Sequence, residues 1–458
     1  MRGTTEYWME DVETASRPDL AKVQLEKLKK VLGYCQSRSK FYQKKFGDAG
    51  VSISKVKRLE DIDTLPLTSR EEIVTDQMEN GRLGSIMCTE FEEPGQTIGM
   101  TGIKFSATER PIRVIISIED AASQGRLAAR GLTCAGVQPK DYLFSMDFPQ
   151  FNLLYMHMGL GCINLGSKNL SAGMERAERN TSIYTRLYPP GAFNISPTYS
   201  KLVTKLLKQT GKRYPIHAIL GWSEPGYSLP SWKKQFKEMW GEVSDQPEIT
   251  VCDVYGMVEV GLLAFECTNE KGLHGFEDAH IYEIIDPNTG DVLPPGEEGE
   301  LVITHLEREG MPLIRYRTGD ITSLQLERCE CGRTHLRLMG IKGRLDQAIN
   351  VAGKKIYQSQ IEETLGSIKD YSGEFNVVVN GSEILSILEL RVLKDSISEK
   401  VQRDLEDVCG KKLGVPVRIQ YVAKEDLVTF VHRSQKVMRA ESLERLKKEA
   451  ASQLRGET

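Results

Sequence analysis

Two cysteines separated by one residue, Cys329 and Cys331, are candidate metal ligands. Thiolates this close in sequence bind one ion only where the chain turns tightly, and Gly332 favours such a turn. A four-coordinate structural zinc needs two further ligands. A disulfide scaffold is not expected in a chain of this length, so the scattered cysteines are predicted to be small buried residues; these are Cys35, Cys88, Cys134, Cys162 and Cys409.

Four polar motifs follow one another in the second half of the chain. They are DVYGMVE at 253–259, RYRTGD at 315–320, GRLD at 343–346 followed by GKKIYQSQIE at 353–362, and SQKVMR at 434–439. Each motif alone is weak evidence, since Tyr-Gly is common at strand ends and Thr-Gly-Asp in turns. Their order and spacing together are far more specific.

The overall composition is that of a globular protein. The 458 residues include 60 basic and 64 acidic side chains, for a net charge of -4, which excludes a broad electrostatic attraction to nucleic acid. No uncharged apolar run approaches the roughly 18 residues of a membrane span, and the first residues are polar and mixed in sign, so no signal peptide is expected. We therefore expect a soluble cytoplasmic protein of roughly two to three domains.

An α/β body is predicted to position the motifs. Apolar spacing predicts a helix over 18–50, and Ser69 with Glu72 forms a capping-box pattern at the start of another. Between about 85 and 340, helical or loop segments separate β-rich runs. These runs are YLFSM, INL, HAILG, ITVCDVYG and ELVITHL. The turn-rich DPNTGDVLPPGEEGE predicts a hairpin connection before the last run.

The C-terminal residues show a separate β-α-β alternation. Strand character is found in FNVVVN, LSILELRVL and VRIQYV, and helix character in QIEETLGSI, SEKVQRDLEDVCGKKL and the ending ESLERLKKEAASQLRGET. This alternation predicts a compact α+β domain. We place the boundary near GRLD, which gives domains 1–342 and 343–458.

With these motifs in this order, the chain resembles the adenylate-forming superfamily of acyl-CoA synthetases, and within it the phenylacetate-CoA ligase family. The likeness covers nearly the whole chain and includes KFYQKKFGDAGV, EDIDTLPLTSREEI and GELVITHLEREGMPLIRYRTGD. It implies an α/β fold with a large multi-sheet N-terminal domain and a small mobile α+β C-terminal domain. It also implies an AMP-forming ligase that uses ATP and Mg2+ to join a small aryl or short-chain acid to CoA through an acyl-adenylate.

The resemblance assigns roles to matching residues. Tyr255 would lie against adenine, Glu259 would hold Mg2+, and Asp320 would accept hydrogen bonds from the ribose hydroxyls. Lys436 would stabilise the charge that develops when a carboxylate attacks the α-phosphate. The other nucleotide-binding positions are Gly221, Trp222, Ser223, Glu224 and Pro225 in an adenine-edge loop, together with Asp253, Gly256 and Arg344.

The same resemblance assigns the moving parts and the two remaining sites. Asp346 would be the hinge of the small domain, and Gly353 with Lys354 would line the path of CoA. Tyr155 and His157 fall in the segment that would line the acid pocket, although such residues are more often core groups. Cys267 and His274 would complete a closed Cys3His zinc site with the cysteine pair; the alternative is that they are unrelated to it. No membrane partner is implied, and a homodimer is left open.

The chain departs from the family pattern in its phosphate loop. In Thr97–Lys104 (TIGMTGIK), Thr101 remains but Ile98 and Met100 replace hydroxyl residues, and Gln435 stands where a glycine usually precedes the lysine. Four alternatives therefore stay open. They are a plain surface role for the lysine, weak use of ATP or a reaction that begins from a ready-made adenylate, transfer to an amine or a carrier-protein thiol, and a non-catalytic adenylate binder. The non-catalytic alternative is disfavoured because the chain retains the motif residues. These are Glu259, Asp320, Arg344 and Lys436.

Overall fold

A computed structural model of the chain describes residues 7–89, 97–100, 111–146, 153–171, 177–222, 224, 226–368, 371, 375–379, 387–393, 399–422 and 437–439. The chain divides into two units. The first draws on residues 1–222 and 236–340, and the second on residues 223–235 and 341–458. Residues 223–235, from the middle of the chain, thus group with the C-terminal residues.

The described helices are α1 (Glu10–Glu13), α2 (Arg17–Arg38), α3 (Lys40–Asp48), α4 (Arg70–Glu79), α5 (Ile118–Cys134), α6 (Leu153–Leu165), α7 (Ala177–Leu187), α8 (Pro197–Gln209), α9 (Pro230–Gly241), α10 (Gln358–Gly366) and α11 (Glu399–Leu413). Four of the described helices, α2 to α5, begin at serines whose side chains cap them. The capping box predicted at Ser69 and Glu72 is confirmed at the start of α4. The single helix predicted over 18–50 is wrong, because extended Ser39 ends α2 and its side chain caps α3.

The described strands account for most of the predicted β-rich runs. They are β1 (Thr97–Met100), β2 (Arg113–Ile116), β3 (Tyr142–Met146), β4 (Lys168–Ser171), β5 (Ala192–Ile195), β6 (Ala218–Gly221), β7 (Thr250–Met257), β8 (Gly261–Glu266), β9 (Leu273–Gly275), β10 (His280–Ile285), β11 (Gly299–His305), β12 (Tyr316–Thr322), β13 (Leu324–Gln325), β14 (Arg337–Leu338), β15 (Gly343–Arg344), β16 (Ile349–Val351), β17 (Lys354–Ile356), β18 (Phe375–Val379), β19 (Leu388–Leu393), β20 (Val417–Val422) and β21 (Val437–Arg439).

The prediction of a strand at INL is wrong. Residues 163–165 form the last turn of α6, whose sequence LLYMHMGLGCINL is apolar on most faces and therefore shows no helical periodicity. The helix packs closely on α5 through small residues. A Cβ added at Gly161 would lie 2.4 Å from the Cβ of Ala128, so the two helices approach too closely for a larger side chain.

A nine-stranded sheet organises the first unit, in the order β13-β14-β9-β8-β7-β6-β5-β3-β4. Strands β4, β3, β5, β6 and β7 are parallel, and β7, β8, β9, β14 and β13 are antiparallel. The central strands β5, β6 and β8 are buried along their whole length, as expected for strands covered on both faces. The change from parallel to antiparallel pairing falls at β7, which carries the DVYG motif.

A second sheet of the first unit contains the antiparallel neighbours β10, β11 and β12. The hairpin predicted at DPNTGDVLPPGEEGE is confirmed, because this segment joins β10 to β11. Gly290 within it has φ of 81°, a left-handed conformation that glycine adopts readily. The third strand, β12, carries the RYRTGD motif.

The second unit contains a four-stranded sheet in the order β20-β19-β18-β21 and the hairpin β16–β17. Helices α10 and α11 were both predicted, as were β18, β19 and β20. The terminal helix predicted at 441–458 lies outside the described residues. Among the helices that the structure describes, none combines the length and the apolar character needed to cross a bilayer.

Candidate functional site

Two of the sequence motifs meet at β7 and β12. The Tyr255 hydroxyl donates a hydrogen bond of 2.7 Å to Oδ2 of Asp320, although 65 residues separate the two. Asp320 is only 5% exposed, and its backbone N–H donates to Oγ1 of Thr318. Tyr255 is half-buried. The arrangement places an aromatic ring and a carboxylate side by side, which is suited to a base and its sugar.

The turn between β7 and β8 carries Glu259. Its Oε1 accepts a 3.0 Å hydrogen bond from the Tyr316 hydroxyl of β12. Glu259 is 7% exposed, and no basic side chain among the described residues pairs with it. Buried carboxylates usually have a cationic partner or coordinate a metal, so this one fits a cation. Gly256 permits the tight turn, since a Cβ there would lie 2.7 Å from the carbonyl oxygen of Gly261.

The predicted adenine-edge residues that the structure describes begin at the carboxyl end of β6, a parallel strand. Gly221 is the last residue of β6 and is paired in register with Asp253 of β7. Trp222 is buried, and Asp253 is 9% exposed. Ligands of open α/β sheets bind at the carboxyl ends of such strands. Glu224 is half-buried and belongs to the second unit.

The RYRTGD motif begins at a backbone conformation that is unusual for a residue other than glycine. Arg315 has φ of 46°. Its guanidinium pairs with the buried Glu283 at 2.8 Å and donates to the backbone carbonyls of Asp63 and Leu65. Burial raises the pKa of Glu283, and the Arg315 charge opposes that shift. A conformation of this kind persists only where surrounding contacts hold it, so these bonds fix the start of β12.

Both predicted acid-pocket residues lie on α6. The Tyr155 hydroxyl donates to Oγ of Ser171. His157 is fully buried, and neither of its ring nitrogens has a hydrogen-bond partner among the described residues. Burial, aided by the charge of Arg308, lowers the pKa of His157 to about 3, so the ring is neutral.

The predicted hinge and CoA-path residues belong to the second unit. Arg344 pairs with Asp346 at 3.0 Å. Gly353 and Ala352 form the two-residue turn between β16 and β17, and both have positive φ, 81° and 49°. This is the primed turn geometry that favours glycine. The Lys354 ammonium donates at 2.8 Å to the carbonyl of Leu413, at the C-terminus of α11, where a cation is favourable.

Four predicted metal ligands come together at the end of the nine-stranded sheet. The ligand atoms of Cys267, His274, Cys329 and Cys331 all lie within 4.8 Å of one another. Three of the residues are buried and Cys331 is half-buried. Hydrogen bonding to the Cys267 thiol lowers the pKa of Cys331, which favours the thiolate that a metal requires. Gly332 has φ of 89° in the tight turn between β13 and β14.

The N-terminal residues hold this cysteine turn. The Glu13 carboxylate accepts a 2.7 Å bond from Nε of Arg333, with both side chains buried. The Tyr7 hydroxyl donates to the carbonyl of Cys331 at 2.9 Å. All nine cysteines are free, and the five predicted to be small buried residues are buried. One of them, Cys134, packs against Cys267 and Cys329, a contact that its sequence position did not indicate.

Several predicted site residues lie outside the described part of the chain: Thr101, Ser223, Pro225 and Lys436, with Gln435 beside the last. Of the predicted phosphate loop, Thr97–Met100 forms β1. Sequence reasoning missed Tyr316 as the partner of Glu259, although it lies in the RYRTGD motif. It also missed the ion pair between Glu13 and Arg333, for which the sequence carries no local signal.

Comparison with solved structures identifies the class of this fold. The crystal structure of 2-hydroxyisobutyryl-CoA ligase in the postadenylation state, in complex with 2-HIB-AMP, matches with a TM-score of 0.87 at 23% identity, covering 100% of this chain and 96% of that one. The chain therefore has the mixed α/β fold of the adenylate-forming ligases, with a large multi-sheet N-terminal part and a small C-terminal sheet, as predicted.

Sequence comparison gives a narrower placement. No protein-family model matches the chain. A phenylacetate-coenzyme A ligase of Thermus thermophilus is 29% identical over 404 residues, which is 86% of this chain and 85% of that protein. A second, from Escherichia coli, is 27% identical over 398 residues, 85% of this chain and 86% of its own length. The chain is a homologue of the phenylacetate-coenzyme A ligases over most of its length, which confirms the resemblance seen in its motifs.

Proposed function

We propose that this chain is a cytoplasmic AMP-forming carboxylic acid–CoA ligase that activates a small aryl or short-chain acid through an acyl-adenylate. The observation that carries the proposal is the hydrogen bond between Tyr255 and Asp320. It brings two distant motifs together in a homologue of the phenylacetate-coenzyme A ligases. The overall reaction converts acid, ATP and CoA into acyl-CoA, AMP and pyrophosphate.

In the first half-reaction, the acid carboxylate attacks the α-phosphate and pyrophosphate leaves. Tyr255 packs against adenine, while Asp320, already oriented by the Tyr255 hydroxyl, accepts hydrogen bonds from the ribose. Asp253, Gly256, Gly221 and Trp222 border the base, together with Ser223, Glu224 and Pro225. Thr101 and Arg344 contact the phosphates or the ribose.

Glu259 is the residue that would hold Mg2+, which neutralises phosphate charge when bound. Its buried carboxylate has no described basic partner, and the bond from Tyr316 fixes its orientation. Lys436 stabilises the charge that builds on the reacting phosphoryl group more in the transition state than in the ground state. Mg2+ and the Lys436 ammonium would thus each neutralise part of the negative charge on the phosphate groups.

In the second half-reaction, CoA attacks the mixed anhydride and AMP leaves. The C-terminal domain turns about Asp346, and Gly353 with Lys354 borders the approach of CoA. Apart from its chain neighbours, no described atom lies within 4 Å of a Cβ built at Gly353, so a ligand could approach the backbone closely there. Tyr155 would line the acid pocket, whereas the fully buried His157 matches the core alternative.

Pyrophosphate release with a panel of acids, measured with and without CoA, tests this function. Turnover that requires CoA supports it. Turnover only with amines or a carrier-protein thiol would assign the alternative acceptor, and no turnover with any acid would leave only adenylate binding.

Lys436→Ala tests the role of the lysine. We expect adenylation to fall by at least about a hundredfold, as for the loss of an oriented charge-stabilising group, with far less change in thioester formation from a supplied adenylate. Lys411→Ala, an exposed lysine of α11, is the control. Equal losses in the two half-reactions would reject the assignment.

We also propose that Cys267, His274, Cys329 and Cys331 bind a structural zinc ion. Three thiols and one imidazole match the donors of closed tetrahedral sites, which leave no position for substrate. Protein purified without added zinc should contain about one equivalent, and Cys329→Ser should lose it together with thermal stability. Cys409→Ser, a buried cysteine of the second unit, is the control. Absence of zinc from the purified protein would reject the site.

A further inference from the structure

Two buried side chains form hydrogen bonds to the backbone of the turn that carries Glu259. The carbonyl of Val260, the next residue, accepts hydrogen bonds from Nε2 of His305 at 2.8 Å and from Nη1 of Arg308 at 3.4 Å. His305 is the last residue of β11 and is 2% exposed. Neither basic residue belongs to the motifs that identify the nucleotide site.

The partners of His305 define its tautomer. Its Nδ1 accepts a 3.0 Å bond from the backbone N–H of Leu313, which can only donate, and its Nε2 faces the carbonyl of Val260, which can only accept. The ring is therefore neutral, with its proton on Nε2. Burial and the nearby Arg308 and His280 hold the pKa of His305 well below its usual value, in agreement with this state.

His305 thereby connects the two segments whose side chains meet at Glu259. On one side is Val260, which follows Glu259. On the other is Leu313, three residues before Tyr316, whose hydroxyl donates to the Glu259 carboxylate. The two segments are thus joined twice near the Glu259 carboxylate. The His305 imidazole joins them through backbone groups, and the Tyr316 hydroxyl joins them through the Glu259 side chain.

We propose that His305 is a positioning residue that fixes the Glu259 carboxylate for its cation. The proposal rests on the proposed function, in which Glu259 holds Mg2+. Magnesium requires near-ideal octahedral geometry, so a carboxylate that shifts with its turn binds the ion more weakly. Neither bond of His305 reaches the substrate, and its effect is transmitted through Val260 and Leu313.

Two substitutions separate the two bonds of His305. In His305→Asn the amide group replaces Nδ1, so the bond from Leu313 can persist while the bond to Val260 is lost. In His305→Gln the amide nitrogen replaces Nε2, so the bond to Val260 can persist. The probe is Mn2+, titrated by electron paramagnetic resonance into the full-length protein saturated with α,β-methylene-ATP. We expect His305→Asn to weaken Mn2+ binding about tenfold, equivalent to one buried hydrogen bond, and His305→Gln to weaken it less.

His335→Asn is the matched control. His335 is also buried, accepts at Nδ1 from the N–H of Glu277 and faces the carbonyl of Val12 with Nε2. It resembles His305 in burial and bonding but does not contact the Glu259 turn. We expect it to change thermal stability and to leave Mn2+ binding unchanged. Equal Mn2+ affinity in His305→Asn and His335→Asn would overturn the proposal.

A measurement on the unmodified protein covers the case in which His305→Asn does not fold. Nitrogen-15 NMR of labelled histidine should show His305 as the neutral Nε2–H tautomer at pH 7, and an Nδ1–H tautomer or an imidazolium would overturn the proposal. Glu259→Gln separates this failure from failure of the proposed function. If Glu259→Gln leaves Mn2+ binding intact, the metal role of Glu259 is rejected. If Glu259→Gln abolishes binding while His305→Asn binds Mn2+ as tightly as the unmodified protein, only the role of His305 is rejected.

Discussion

Replacement of His157 by leucine should change how the stability of the protein depends on pH. The native pKa of His157 is about 3, against an ordinary value of 6.5, chiefly because of burial. Between these values the unfolded chain binds a proton that the native protein does not, so His157 makes the native state less stable as the pH falls. One such proton corresponds to a slope of about 1.4 kcal/mol per pH unit.

The magnitude follows from the protonation of the unfolded state. At pH 5.5 an ordinary histidine is already about nine-tenths protonated, so lowering the pH from 5.5 to 4.5 should cost about 1.3 kcal/mol through His157 alone. His157→Leu should lose this part of the slope. At pH 7 we expect a neutral or stabilising effect, because the two ring nitrogens have no described hydrogen-bond partner and leucine needs none.

Urea denaturation followed by circular dichroism at pH 4.5, 5.5 and 7 measures the effect. Met158→Leu is the control, since Met158 is equally buried in α6 and does not titrate. It should retain the pH slope of the unmodified protein. If His157→Leu also retains that slope, His157 is protonated in the native state and the reasoning from its burial is refuted.

Two further substitutions test contacts described above. Glu13→Ala should destabilise the protein by about 3–5 kcal/mol, because it leaves the buried Arg333 guanidinium without its carboxylate. Thermal unfolding measures this loss of stability. Glu10→Ala, at an exposed residue of α1, is the control, and an equal effect of the two substitutions would contradict the prediction. Tyr255→Phe keeps the ring but removes the hydroxyl that orients Asp320, so it should bind an ATP analogue about tenfold more weakly in calorimetry. Tyr255→Ala, which also removes the ring, should lose more affinity. Unchanged affinity in Tyr255→Phe would mean that this bond does not orient the carboxylate.

The sequence by itself determined the class of fold and most of its elements. Short β-rich runs such as HAILG, the capping box at Ser69 and the turn-rich segment before β11 are local signals, and each depends on residues within a few positions of one another. The order of the four motifs indicated the family, and the spacing of Cys329 and Cys331 indicated a metal site. These features need no knowledge of the packing.

Local signals failed where packing decides the outcome. From sequence, the apolar segment ending at INL is compatible with a strand or with a buried helix. In the structure it is a helix that packs closely on α5, where Gly161 lies against Ala128. The break at Ser39 was hidden because apolar spacing continues across it, while the side chain of Ser39 caps the next helix.

Only the tertiary structure decided which side chains meet. The bonds from Tyr255 to Asp320 and from Tyr316 to Glu259 join different strands, and the bond between Arg333 and Glu13 spans 320 residues of sequence. The tautomer of His305 likewise depends on backbone groups from two separate segments. Hydrogen bonds and burial depend on distance in space, which periodicity and residue type do not specify, so these contacts became visible only when the sheets brought the segments together.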